Sequence, residues 1–222
     1  MKIATHPPIL LVCGCQKYRP YVCAGIKRFH RPEEWYTIGL LGDPTLTIPV
    51  FDESSSILTL PVPDTYESLP RKIHAALEWI HKQWPTTPGI FKTDDDIVIH
   101  DLDHLSMAIK EIIATKTAYC GINGGNCSAG KVNRERIETH FTNKQNQWSH
   151  KGAHYCYGAG YWLSTPAIRI AIAAKKEYAS ACLEDVCTGY AMNSAGIRPL
   201  KLKIAYTEHV RDDALLLPKL RA

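Results

Sequence analysis

The stretch FKTDDDIVIH, residues 91–100, sets three consecutive carboxylates, Asp94, Asp95 and Asp96, against an apolar, β-branched run. Adjacent like charges repel, and burying any one of them unpaired is costly. GIFKT before them and IVIH after them read as strand, so the aspartates stand at the mouth of a buried element. If the backbone stays extended through residues 94–96, Asp94 and Asp96 project to one side and Asp95 to the other. Such a pair of hard oxygen donors suits Mg2+ or Mn2+, which use few protein carboxylates and leave room for water and phosphates. On these residues alone a solvated acidic turn fits equally well.

Outward from this point, strands alternate with helical segments. ILLVC, residues 9–13, reads as a buried first strand, and YVCAGIKRF follows as an amphipathic stretch. WYTIGLLGD and SILTLPV give two more strand patterns. Within ESLPRKIHAALEWIHKQW, Leu69, Ile73, Ala76, Leu77 and Ile80 recur at helical spacing, and Ser68 with Pro70 supplies start signals. This alternation predicts an α/β layered fold with a mostly parallel sheet, whose ligands gather at the carboxyl ends of strands.

The 222 residues, 45% of them hydrophobic, suit one domain with a sizeable core. The net charge of +4 is spread along the chain without a Lys/Arg block, which argues against nucleic acid as the main partner. The chain opens without a signal-peptide pattern, and its eight cysteines are expected to be mostly free thiols in a reducing compartment. No apolar run approaches a membrane span, so a cytoplasmic location is expected.

Neither GxGxxG nor GxxxxGK[ST] follows the first strand, where CGCQK stands instead. The glycine-dense segments are GINGGNCSAG, residues 121–130, and YCYGAGYWLS, residues 155–164. In the second, Gly158 and Gly160 flank Ala159 among bulky aromatics, which suits either close approach of backbone to ligand or a tight packed turn. Glu184 and Asp185 precede a helical pattern; they serve equally as helix-dipole partners or as a general base.

Four blocks in one order resemble the inverting β-1,3-glycosyltransferases of galactosyltransferase type. DTYESLPRKIHAALEWI is similar to the family's D-x-Y-x-x-L-x-x-K helix followed by Trp, through Asp64, Tyr66, Leu69, Lys72 and Trp79. FKTDDDIVI resembles its K-T-D-x-D strand, KQNQWSHKGAHYCYGAGYWLS its Lys…Trp segment running into Y-C-x-G-x-G-Y-x-L-S, and LEDVCTG its E-D-V-x-x-G block. A narrower resemblance is to virus-encoded, multidomain members that build the chlorella virus capsid glycan. It implies a β-L-rhamnosyl or β-galactosyl-type transfer, a host-cytoplasmic setting and a chain that is part of a larger protein.

The family resemblance implies a GT-A fold: a Rossmann-like, mixed and mostly parallel sheet flanked by helices in a single domain over residues 1–222. Residues 1–100 would bind nucleotide and end in the D-x-D motif, and residues 101–222 would bind the acceptor and supply the base. It implies a UDP-sugar donor, a glycan acceptor and Mn2+ or Mg2+. Asp96 would ligate the metal directly, Asp94 would contact the metal or the ribose, and His209 would complete the ligand set. Asp95 would face the nucleotide or sugar. Gly14, Cys15, Gln16, Lys17, Asp64, Tyr66 and Lys72 would surround the nucleotide, with Lys17 or Lys72 offsetting phosphate charge. Tyr157, Gly158, Ala159 and Gly160 would line the sugar side, with Trp148 and Trp162 as stacking surfaces. Asp185 would be the catalytic base, with Glu184 as its substitute.

Two other classes stay open on the residues. A glycoside hydrolase would use Asp96 and Asp185 as its separated carboxylates. A metal-free carbohydrate-binding module would use the aromatics, with Cys120, Cys127 and His140 as a weak zinc candidate one ligand short.

Overall fold

A computed structural model of the chain describes residues 6–124, 127–128, 153–180 and 183–208. Strand β1 (Ile9–Cys13) lies inside the main sheet, parallel on one side to β2 (Tyr36–Gly42) and on the other to β5 (Gly89–Asp94). Beyond β2, the edge strand β3 (Val50–Asp52) runs antiparallel to β4 (Ile57–Leu60), itself parallel to β2. Beyond β5, β10 (Gly160–Ser164) runs antiparallel to β5 and to β7 (Tyr119–Gly121), and β11 (Leu200–Lys201) is parallel to β7. The order is β11-β7-β10-β5-β1-β2-β4-β3, the mixed, mostly parallel sheet expected of the α/β reading. Two short pairs stand apart: β6 (Val98–Ile99) with β12 (Tyr206–Thr207), and β8 (Cys127–Ser128) with β9 (His154–Tyr155).

Alternation along β1 explains the two-sided core. Ile9, Leu11 and Cys13 face one layer, and Leu10 and Val12 the other, and all five are buried. The first layer holds helix α2 (Leu69–Gln83), which buries Ile73, Ala76, Leu77 and Ile80 as its periodicity predicts. Full burial of each large aliphatic side chain contributes about 2 kcal/mol. On the other face Phe91 packs with Phe29 and Trp35 beside helix α1 (Arg19–Arg28) and with Leu105 and Ile109 of α3 (Leu102–Ala114). Helix α3 starts where Asp101 accepts a hydrogen bond from the His104 N–H at 2.8 Å, a side-chain N-cap. Helices α4 (Thr165–Ala173), α5 (Lys175–Ser180) and α6 (Glu184–Ser194) complete the α2 side.

Cys13, Cys15, Cys23, Cys120 and Cys187 are in no disulfide among the described residues, and burial pushes Cys13 and Cys120 up to about 12. Among the described residues no helix is long and apolar enough to cross a membrane.

The antiparallel entry of β10 is what builds the site. Gly160 pairs with Thr93, so the loop leading into β10 lies at the carboxyl end of β5. That end is shared with β1, since Cys13 pairs with Asp94.

Candidate active site

The aspartate run does not stay extended. β5 ends at Asp94; the Asp95 N–H donates to the Cys13 carbonyl at 2.9 Å, and the Ile97 N–H then closes a turn onto the Asp94 carbonyl at 3.3 Å. Aspartate favours turns over strands, and a turn spreads three like charges apart. The expectation that IVIH continues the same strand is therefore corrected: Val98 and Ile99 leave the main sheet and pair with β12. Asp94 shares a face of β5 with Lys92, and its side chain is 29% exposed. Asp95 is buried against Gly14, where an added Cβ would lie 2.8 Å from its Oδ2. Asp96 is buried as well. From α1, the Arg28 guanidinium donates to the Ile97 carbonyl and steadies the turn. Burial pulls the Arg28 pKa down while the Asp95 charge opposes it.

Asp185 reaches the same place from α6. Its Oδ2 accepts from the Gly158 N–H at 3.2 Å, and its Oδ1 accepts from the Val186 N–H at 2.8 Å. An acidic first turn also suits the positive end of the helix dipole. Burial and then the neighbouring Glu184 push the Asp185 carboxyl up to about 6, against Lys92 and the two backbone hydrogen bonds. Gly158 stands between the acidic groups. A Cβ there would lie 3.4 Å from Lys92 Nζ, 3.5 Å from Asp94 Oδ2 and 3.8 Å from Asp185 Oδ2. Asp94 and Asp185 thus border one small space.

Lys92, within the K-T-D-x-D block but not among the expected site residues, lies at the centre of this arrangement. Its ammonium is 2.7 Å from Asp94 Oδ1 and 3.3 Å from Glu184 Oε2, and it donates to the Gly158 carbonyl at 2.8 Å. Burial favours the neutral amine, but Asp94 and Glu184 outweigh it and hold Lys92 well above the usual lysine range. The available signal was a lysine inside the buried strand GIFKTD, where only a buried partner makes its charge tolerable.

Glu184 is that partner, which corrects its reading as a substitute base. It is 3% exposed and accepts hydrogen bonds from the hydroxyls of Tyr161 and Thr188, the latter at 3.2 Å. A carboxylate committed to these donors and to Lys92 is closed off from an incoming hydroxyl.

On the β1 side, several predicted nucleotide-site residues converge. The Lys72 ammonium donates to the Gly14 carbonyl and to Asp64 Oδ1, the latter at 2.7 Å, while Asp64 Oδ2 accepts from the Gln16 N–H. Lys72 is 2% exposed and its charge is spent on Asp64, so it shapes the loop after β1 rather than offsetting phosphate directly. Lys17 is exposed with its ammonium 5.2 Å from the Tyr18 ring centre, Cys15 is half-buried and Tyr66 is exposed.

Of the glycine-aromatic block, Tyr157 is exposed and Ala159 is buried, its carbonyl accepting from Thr93 Oγ1 at 2.8 Å. Gly160 opens β10, where a Cβ would press to 2.9 Å from Phe91. Trp162 is not a stacking surface. It is 1% exposed within the core, and its indole N–H donates to the Thr117 carbonyl at 3.2 Å. A strand paired on both edges and covered on both faces leaves its aromatics no route to solvent. Trp148, His209 and His140 lie outside the described residues, as does the Cys127 side chain.

Among the described residues no three His, Cys, Asp or Glu side chains cluster as a metal site. The carboxylates of Asp94 and Asp96 are nonetheless of the hard type that Mg2+ and Mn2+ take, and Asp94 is accessible at the strand end.

Comparison with known proteins places the chain in a family. Residues 52–203 match the family model for galactosyltransferase. Beta-1,3-galactosyltransferase 4 of Homo sapiens is 24% identical over 256 residues, an alignment covering 91% of this chain and 65% of that protein. The chain thus spans about two-thirds of that relative's length. Similar solved structures include the WbbM bifunctional glycosyltransferase in its apo form, with TM-score 0.46, 9% identity and coverage of 91% of this chain and 39% of that one. Another is mannose-1-phosphate geranyltransferase from Thermus thermophilus, with TM-score 0.44, 13% identity and coverage of 97% and 80%. The family match takes in the aspartate turn, the glycine-aromatic loop and the start of α6 within more than half of the chain, and the chain therefore belongs to the galactosyltransferase family.

Proposed function

We propose that this chain transfers a sugar from a UDP-sugar to a hydroxyl of a glycan acceptor, with inversion at the anomeric carbon and dependence on Mn2+ or Mg2+. The observation that carries the reading is the space at Gly158, bordered by Asp94 from the D-x-D turn and by Asp185 from α6. Asp185 accepts the proton of the acceptor hydroxyl as its oxygen attacks the anomeric carbon, and the bond to the diphosphate breaks with its electron pair leaving on UDP. The backbone N–H groups of Gly158 and Val186 hold the Asp185 carboxylate in place for that transfer. Asp94 and Asp96 supply the donors for a divalent cation, whose chemistry when bound is to offset the charge of the departing diphosphate.

On this reading residues 1–100 serve the donor, through the loop at residues 14–16 that Asp64 and Lys72 lock, and residues 101–222 serve the acceptor. Tyr157, exposed beside the base, is the aromatic that fits a sugar ring. The narrower assignment, rhamnosyl or galactosyl transfer in viral capsid-glycan synthesis, rests on sequence resemblance alone.

The test separates the two carboxylates. Asp96→Ala is expected to abolish metal-supported UDP binding in calorimetry. Asp185→Asn is expected to retain that binding and to lose transfer by a factor of about 100 or more. Equal loss of UDP binding in both variants would contradict the division of roles, and cleavage of a simple glycoside without nucleotide would replace transfer with hydrolysis.

A further inference from the structure

We propose that Lys92 is a positioning residue for this reaction: one buried ammonium fixes the donor-side carboxylate Asp94 and the base Asp185 relative to each other. The inference rests on the transfer reading above and goes beyond it, because neither the base nor the metal donors account for a lysine in the middle of the site.

A lysine ammonium has three N–H donors, and here it meets three oxygen groups from different elements, one by a hydrogen bond and two as ion pairs. Asp94 Oδ1 at 2.7 Å belongs to the end of β5, the Gly158 carbonyl at 2.8 Å to the loop before β10, and Glu184 Oε2 at 3.3 Å to the first turn of α6. Two of these ties lead to Asp185. Gly158 gives its carbonyl to Lys92 and its N–H to Asp185, so displacing this residue displaces the base's hydrogen bond. Glu184 is the covalent neighbour of Asp185, and the hydroxyls of Tyr161 and Thr188 donate to its Oε1. The third tie holds Asp94 itself. The lysine side chain is 3% exposed, which leaves it no direct part in binding a substrate from solvent.

Stability alone does not explain the arrangement, since replacing a buried ion pair by neutral groups of similar volume is often neutral for folding. What a neutral pair cannot do is hold three separate backbone segments to one point. Small displacements matter here, because a shift of about 1 Å between reacting groups costs a factor of about 100 in rate.

The experiment compares the wild type, Lys92→Met and the double variant Lys92→Met/Glu184→Gln by thermal melting, calorimetric UDP titration with Mn2+, and steady-state transfer. Lys92→Met strands Glu184 and is expected to melt lower. The double variant removes both buried charges, keeps an acceptor for Tyr161 and Thr188, and is expected to melt within a few degrees of wild type. Its UDP dissociation constant should rise through the loosened Asp94 by about tenfold at most, while kcat remains about 100-fold down. Recovery of kcat together with the melting temperature would reduce Lys92 to a structural lysine, and so would failure of the double variant to fold. A loss of UDP affinity that matches the loss of kcat would make Lys92 a donor-binding residue and overturn the proposal. Absence of UDP binding by the wild type would overturn the transfer reading and this inference with it.

Discussion

At the residue scale, the environment of Asp185 makes a statement about pH. Its carboxyl is pushed up to about 6, first by burial and then by Glu184. Acting as a base it must be ionised, so kcat/KM, which reports the free enzyme, is expected to fall as pH drops through about 6; an acid limb near 4, the ordinary aspartate range, would contradict the assignment. The stability term has the opposite sign. A carboxylate whose folded pKa is raised binds its proton more tightly in the folded state, so this group's destabilising contribution is relieved as pH falls from about 6 toward its unfolded value. Circular dichroism over that window should therefore show no unfolding tied to Asp185, which separates loss of the base from loss of the fold. Gly158 makes a second statement. A methyl at this position meets Lys92, Asp94 and Asp185 at contact distances of 3.4 to 3.8 Å, so it fits without a clash. Gly158→Ala should change stability by no more than about 1 kcal/mol, read by urea denaturation. It should nevertheless lower kcat sharply, because it fills the space between the carboxylates. Wild-type turnover in this variant would show that the reaction does not use that space.

At the scale of elements, the parts most legible in the sequence were those with a strong period. Ile73, Ala76, Leu77 and Ile80 mark the buried face of α2, and ILLVC marks a strand buried on both sides. The aspartate run was legible as a strand end or as a solvated acidic turn, but not as a buried turn, because that outcome depends on the Asp95 N–H finding the Cys13 carbonyl on another strand. The absence of Lys92 from the expected site and the stacking role expected of Trp162 have one cause. A single strand's pattern says which residues share a face, but what covers that face is set by distant segments: Glu184 for Lys92, and Phe91 and Thr117 around Trp162. Trp162 belongs to the core, so Trp162→Ala is expected to cost about 4 kcal/mol in urea denaturation. Below its unfolding transition that variant should bind UDP like the wild type; a selective loss of sugar-dependent affinity without loss of stability would restore the stacking role.

At the scale of the whole molecule, the sheet order explains why residues far apart in sequence meet. β1 and β5 run in parallel and end together, while β10 enters the neighbouring position in the opposite sense. The loop before β10 is thereby delivered to the aspartate turn, and α6 brings Asp185 and Glu184 over it. The family match over residues 52–203 spans this assembly, whereas the loop after β1 precedes it and was legible only as a strand followed by CGCQK. Asp64 and Lys72, within the match, tie that loop to the rest.

Calorimetric titration of the wild-type chain with UDP, with and without Mn2+ and again after chelation, tests the central claim most directly. Saturable UDP binding that requires the metal and disappears with the chelator is expected, with GDP binding more weakly. Absence of nucleotide binding under every condition would contradict it, leaving the three aspartates without the diphosphate they are proposed to serve.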